Sequence, residues 1–254
     1  MSFARSSVAS RARSTAAVVA VVVAALVAAT AVAAPASGAT TTKKVRIGTS
    51  VQGRPLVAIH RWAPGASKKV LVIGNMHGDE RAGQKVIERL RTRPVPANVD
   101  LWLIPSINPD GDRARSRTNA RRVDLNRNFP HAWRNADRWT SKYSGPRAAS
   151  EPETRALMAF VRKHQPRTTI VFHQPLYGVD SYQAKSMTLV RALAQETAMP
   201  VRSFSCSGTC HGTFTGWHNR NTSGRAVTVE LSRSVSTWRL DKVTRAVLRV
   251  GSNY

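Results

Sequence analysis

Acidic side chains are scarce in this chain, with 14 aspartates and glutamates against 39 lysines and arginines and a formal charge of +25. That deficit excludes a self-neutralised surface and points to anionic partners. Nucleic acid is the default partner of a basic intracellular protein; the alternative is a surface on which arginine is simply the common residue, because the basic residues are scattered through the chain and not gathered in one tail. Cysteine is scarcer still, with only Cys206 and Cys210 in "CSGTC". This excludes a fold held by a disulfide framework. In an oxidising compartment the pair is read as a local disulfide. A loop of that length contributes about 2 kcal/mol, enough to shape a loop and not to hold a domain. A redox pair or a CxxxC metal site is the alternative, and nothing nearby supports either. Beyond the first forty residues no apolar run approaches the length of a membrane span, which excludes a multispanning protein. Internal repeats and low-complexity tracts are absent outside that first segment.

The first 39 residues are read as a signal peptide. Arg5, Arg11 and Arg13 form a positive start, Ala16 to Ala34 an apolar centre, and small residues offer cleavage sites near residues 33–39. An uncleaved anchor is the competing reading. Alanine and valine drive insertion weakly and the cleavage sites are good, so removal is favoured and no stable membrane insertion is expected afterwards. Residues 40–254 are then one exported domain, secreted or held at the cell surface, with enough chain for a sizeable core. An exported basic protein meets anionic cell-wall polymers before nucleic acid.

Along the domain, Lys43 to Trp62 reads as a hairpin turning at Gly53. "KKVLVIG" and "VDLWLIPSI" read as central strands with a helix from Arg81 to Arg91 between them. "SEPETRALMAFVRKH" reads as a helix with Ser150 as N-cap and Glu153 completing a capping box. "RTTIVFH" and "GRAVTVELS" are further strands, and "AKSMTLVRALAQET" and "STWRLDKVTRAVLRV" further helices. This alternation predicts an α/β fold, three layers α/β/α around a central mixed, mostly parallel sheet. Between Ile107 and Ala149 little regular pattern is visible, yet the segment is rich in arginine and asparagine. Connections this long in compact domains are usually functional.

The chemistry sits at strand ends. "GNMHGDE" places His77 and Glu80 three residues apart where a strand hands over to a helix, so both can face one metal from a first helical turn. An isolated pair of this kind is more often a polar helix start; its position at the edge where α/β sheets keep their sites favours a metal. "IVFH" offers His173 from another strand end. "AVTVELS" puts Glu230 where a strand would normally end on an apolar residue, and an unpaired carboxylate there is costly unless it is used.

Taken in order, "HGDE", "NPDG", "RTNARRVDLNRNFP", a strand-end histidine and "TVEL" resemble the zinc metallocarboxypeptidase family, in pattern most like its compact bacterial murein peptide amidases. The resemblance runs from about Arg46 to the C-terminus. It implies one zinc ion held by His77, Glu80 and His173, with Glu230 as general base and acid. It implies Arg117 as the group that polarises the scissile carbonyl, Asn126 and Arg127 as the grip on a substrate carboxylate, and Asp124 as the acceptor that fixes a ligand histidine. It further implies a monomer acting on peptides or murein peptides with a free carboxylate. The γ-D-glutamyl–diamino acid bond of cell-wall stem peptides is the preferred target. A conventional carboxypeptidase, the deacylase branch and a non-catalytic basic wall-binding protein are the alternatives. One departure stands out. The family's mobile tyrosine, some twenty residues before the catalytic glutamate, has no counterpart in "CSGTCHGTFTGWHNRN"; His211, Trp217 and His218 are the candidates to replace it, and Tyr177 and Tyr182 are too close after His173 to be assumed equivalents.

Overall fold

The computed structural model describes residues 39–206 and 210–254. The expected signal peptide therefore lies, but for its last residue, outside the described residues. β1 (Thr41–Thr49) and β2 (Pro55–Trp62) form the expected hairpin, with Gly53 at φ +77° in its turn. Then follow β3 (Lys68–Ile73), α1 (Ala82–Leu90), β4 (Val99–Ile104), α2 (Pro109–Ala114) and a 3-10 turn at Leu125–Arg127. α3 (Pro152–His164), β5 (Thr168–His173), β6 (Leu176–Asp180), α4 (Met187–Thr197) and β7 (Val201–Arg202) come next. α5 (Phe214–Asn221), β8 (Arg225–Ser232) and α6 (Thr237–Asn253) complete the order.

All eight strands join one sheet in the order β1-β2-β4-β3-β5-β8-β6-β7. The centre, β4-β3-β5-β8, is parallel, while β2 and β6 run antiparallel to their central neighbours. Alternation along β3 explains why the central strands read as unbroken apolar runs. Val70 and Val72 face a core shared with α1, α4 and α6; Leu71 and Ile73 face a second core with α3 and α5. Both faces are covered, giving the three α/β/α layers. Among the described residues no helix is long and apolar enough to cross a membrane.

The start of α3 differs from expectation. The N-cap position is Glu151, and no side chain caps it. Ser150 Oγ instead donates to Glu151 at 2.7 Å, and Glu153 accepts from the backbone of Val51 at 3.0 Å and from Asn119 at 3.3 Å. Ser150 Oγ also accepts from Asn128 Nδ2 at 2.9 Å, so tertiary donors have claimed both halves of the capping box. Those partners tie the segment from Ile107 to Ala149 to the body of the domain. Within it, Asn128 spans the segment, donating to the Ser144 carbonyl at 2.8 Å and accepting from Glu151 N at 3.1 Å.

Backbone contact fixes the segment against the turn after β3. Gly78 N–H donates to the Ser116 carbonyl at 2.9 Å, and a Cβ at Gly78 would collide with the Gly111 carbonyl group and the Asp112 amide. Glycine is needed there because two main chains touch. Gly78→Ala is expected to lower unfolding free energy by about 1–3 kcal/mol, the usual cost of overpacking. Thermal or urea unfolding checks this, and an unchanged midpoint contradicts the close approach.

Candidate metal centre and substrate cavity

His77 and Glu80 precede α1 and do not lie on it, as the sequence suggested. They sit in the turn between β3 and α1, where Glu80 N–H donates to the His77 carbonyl at 3.2 Å. That turn preserves the spacing that aims both side chains one way. His173 ends β5 and Glu230 lies on β8, paired with it in register. Residues 171 and 173 of β5, like 226, 228 and 230 of β8, alternate away from the α1/α4/α6 core, so both side chains emerge on the same sheet face.

Three donor groups converge. His77 Nδ1 lies 2.8 Å from Glu80 Oε1, His173 Nδ1 lies 2.8 Å from Glu80 Oε2, and the two Nδ1 atoms are 3.2 Å apart. One ligand atom from each residue falls within 4.8 Å of the others, and all three residues are buried. Two imidazoles and a carboxylate with a side open to a cavity suit a catalytic zinc.

Behind them lies Asp124, with no exposed surface. Its Oδ1 is 2.9 Å from His77 Nε2 and accepts from Asn126 N at 2.9 Å. Oδ2 accepts from Arg117 Nε at 3.1 Å and Nη2 at 2.9 Å. A proton on His77 Nε2 directed at Asp124 leaves the Nδ1 lone pair for a metal. Arg117 Nη1 reaches Glu80 Oε1 at 3.1 Å, so one guanidinium joins both carboxylates. Gln174, which sequence reasoning passed over, completes the support: its backbone N–H donates to Glu80 at 3.1 Å while its side chain bridges the start of α1 and the end of β8.

The electrostatics follow from this packing. Burial works against charge on His77, but Asp124 and Glu80 outweigh it and raise the imidazole from its ordinary 6.5 to about 9. Burial would raise Glu80 and Asp124 too. The neighbouring His77, aided by His173 at Glu80 and by Arg117 at Asp124, holds both carboxyls far below the usual range. For Glu230 burial prevails: it raises the carboxyl against the pull of the nearby His173, and the Leu176 N–H donates to it at 3.3 Å.

A cavity of about 410 Å³ opens onto these groups and is also lined by Asn126 and Arg127. Arg127 is buried, at 3% exposed, and forms no ion pair among the described residues. Its Nη1 donates to the Asn126 carbonyl at 2.8 Å, its Nη2 approaches the sulfurs of Cys206 and Cys210, and its Nε has no hydrogen-bond partner. Asn126 Oδ1 accepts from Phe214 N at 3.0 Å, fixing the amide beside it. Cys206 and Cys210 form the expected disulfide, with Cα atoms 5.2 Å apart, on the cavity wall. Residues 207–209 between them lie outside the described residues.

Two of the three candidates to cover the substrate are placed elsewhere. Trp217 and His218 are buried on α5, and His218 bonds Thr169 and Thr222 there, its pKa lowered by burial and Lys185 to about 4. α5 was hidden in the sequence by its short, glycine-containing stretch. His211 stands close enough to Arg127 that the guanidinium, after burial, lowers its pKa. Asp180 and Tyr182 line the cavity from the end of β6 and the turn after it, a strand the sequence did not reveal. Burial raises the Asp180 carboxyl despite two backbone N–H bonds to it.

A sequence profile describing zinc carboxypeptidases matches residues 32–182. Murein peptide amidase A of Escherichia coli K12 is 32% identical over 169 residues, covering 61% of this chain and 67% of that protein. Carboxypeptidase SOL1 of Arabidopsis thaliana is 36% identical over 132 residues, covering 46% and 26%. The crystal structure of a murein-tripeptide amidase from E. coli O157 superposes with a TM-score of 0.70 at 28% identity, over 85% of this chain and 94% of that one. Carboxypeptidase A from Helicoverpa armigera shares the fold, with a TM-score of 0.70 at 19% identity, over 84% and 68%. With the profile spanning more than half of its length and the donor set in place, the chain belongs to the zinc carboxypeptidase family and is a zinc metallopeptidase.

Proposed function

We propose that this protein is an exported zinc-dependent amidase that hydrolyses the γ-D-glutamyl–diamino acid bond of cell-wall stem peptides. The observation that carries the reading is Arg127: a buried guanidinium without a carboxylate partner, opening on the cavity that also holds the His–Glu–His group. Buried charges are paired, and the missing partner here is a carboxylate of the substrate beside the scissile bond. Murein peptide amidases among the relatives and the leader at 1–39, processed near residues 33–39, support a wall substrate and an extracellular site for domain 40–254. The positive charge suits anionic wall polymers as a further partner, and the protein is read as a monomer.

In this reading His77, Glu80 and His173 hold the zinc, and Asp124 keeps His77 in the tautomer that offers Nδ1. When bound, zinc supplies Lewis acidity toward a carbonyl oxygen and toward water. Glu230 takes a proton from the attacking water and delivers it to the departing amine; its raised pKa brings it nearer the working pH for both transfers. Arg117 presents its remaining N–H groups to the carbonyl oxygen as charge develops there. Arg127 and Asn126 hold the substrate carboxylate and so set which bond lies over Glu230.

Mass spectrometry of products tests the reading. Protein with and without a zinc chelator receives a murein tripeptide together with ordinary peptides of varied C-termini. Zinc-dependent release of the diamino acid from the tripeptide alone is expected. Stepwise loss of ordinary C-terminal residues would make it a conventional carboxypeptidase, and no cleavage with zinc bound would favour a wall-binding protein.

Two further outcomes follow from the site. Glu230→Gln is expected to keep zinc and fold while turnover falls by about 10²–10⁴; near-normal turnover removes Glu230 from the chemistry. In the metal-free protein the raised His77 contributes stability that is complete below 6.5 and lost as pH rises through about 9. Zinc takes the neutral imidazole, so its affinity should climb over the same interval, with proton release near pH 7.5. Calorimetry in buffers of different ionisation enthalpy reads that release, and its absence contradicts His77 as a ligand.

A further inference from the structure

The closing helix α6 carries two different stripes. Leu240, Val243, Val247 and Val250 pack into the core shared with α1 and α4. On another side Trp238, Lys242, Arg245 and Arg249 follow one another at helical spacing, sharing one face over about 16 Å. With Gln195 and Glu196 of α4 these four line a groove of about 430 Å³ between the two helices. Glu196 is the one acid lining it, and Arg249 takes that carboxylate at 3.1 Å. Lys242 and Arg245 form no ion pair among the described residues. The helix's own acid, Asp241, is committed elsewhere, to Arg89 at 3.2 Å and Arg93 at 2.7 Å.

The groove is therefore basic, with two uncommitted cations one helical turn apart. Like charges at that spacing repel, and an anion spanning both relieves the repulsion. Shape narrows the choice of anion. A concave strip between two helices receives a linear chain, whereas a flat bilayer meets the crests of the helices first. Trp238 is 58% exposed, but Arg239 lies over its ring at 5.0 Å and Lys242 at 5.3 Å. The ring thus holds Lys242 in place and does not offer the bare stacking surface that single-stranded nucleic acid uses. Position matters too: α6 follows directly on β8, so Trp238 starts the stripe close to the sheet edge that carries Glu230.

We propose that the groove between α4 and α6 binds a linear, phosphate-bearing polymer of the cell wall, with Lys242 and Arg245 on its phosphates and Arg249 extending the row. This rests on the reading of the protein as an exported wall enzyme and gives its positive charge a defined place of action. A phosphodiester chain offers a fixed negative charge at every repeat, which a row of cations meets with charge-assisted hydrogen bonds. Polymer held there keeps the enzyme on the wall while a separate cavity cuts the stem peptides. Such binding weakens with salt, whereas hydrolysis of a small soluble tripeptide does not depend on the groove.

Sodium polyphosphate is titrated into the protein between about 50 and 200 mM salt. The variants are the pair Lys242→Gln with Arg245→Gln and, as a control of equal charge, the pair Lys43→Gln with Lys44→Gln on exposed β1. The groove pair is expected to bind roughly 10-fold more weakly, with a salt slope lower by about 1.4, the value of two single-strand contacts. The control pair should change affinity less than about twofold, and the charge-keeping pair Lys242→Arg with Arg245→Lys should bind as the wild type does. Equal losses in groove and control pairs, or no binding by the wild type, overturn the proposal. Cosedimentation supplies the wall itself: walls carrying phosphodiester polymers should retain the wild type and release the groove pair. Walls stripped of those polymers with cold hydrofluoric acid should retain neither; groove-dependent retention by stripped walls overturns the phosphate assignment. Tighter groove-dependent binding to a thymidine oligomer or to phosphatidylglycerol vesicles than to polyphosphate also overturns it. Murein-tripeptide hydrolysis should be unchanged in the groove pair. Groove-dependent wall binding by a protein that cleaves no tripeptide sinks the peptidase function alone; tripeptide cleavage with wall binding that ignores the groove sinks the groove alone.

Discussion

Asp124 carries its charge with no exposed surface, and the arrangement of the site follows from satisfying it. An isolated buried carboxylate is prohibitively unstable, so its oxygens must be met by donors or cations. Here Oδ1 meets His77 and the Asn126 backbone, and Oδ2 meets the Arg117 fork. Each bond has a consequence beyond its own energy. The first orients His77, the second shapes the turn that carries Arg127, and the third places Arg117 against Glu80. A single aspartate thereby couples the His–Glu–His group, the Arg117 guanidinium and the turn that carries Arg127.

That coupling depends on bringing a loop of more than forty residues against the sheet's C-terminal edge. Parallel strands β3, β5 and β8 deliver His77, His173 and Glu230 to that edge, a place where open α/β sheets keep their sites. The loop arrives by polar contacts and by main-chain approach at Gly78 and Gly111, with Leu125 and Phe129 buried among the side chains of α3 and α5. The body of the domain is thus built from apolar alternation and the site from hydrogen bonds. Substitutions in the loop should accordingly affect the site more than the fold.

The same division decides what the sequence made legible. Central strands and long helices were readable because burial on two faces and on one stripe leaves plain apolar patterns, and α1 differs from its expected bounds by one residue at each end. His77, Glu80, His173 and Glu230 were readable because polar residues interrupt apolar strands at their ends. Asp124, Arg117, Asn126 and Arg127 came from resemblance, since an arginine-rich loop offers no periodicity to separate a buried guanidinium from a solvated one. Gln174 and Asp180 were missed for a related reason. Gln174 precedes and Asp180 ends β6, a five-residue strand with glycine at its centre whose pairing with β8 is long-range. The capping box at α3 failed because tertiary donors outbid the local ones.

Charge links the site to the rest of the molecule. A strongly basic chain draws anions toward it, and the cavity meets them with Arg127, a buried guanidinium that forms no ion pair among the described residues. The most direct test of the account is the zinc dissociation constant of Asp124→Asn, measured by chelator competition beside the wild type. Asparagine keeps the shape and removes the charge that orients His77 and anchors Arg117. The account predicts affinity weaker by about 10- to 100-fold. An unchanged constant would mean that Asp124 does not organise the metal group, and the network described here would lose its centre.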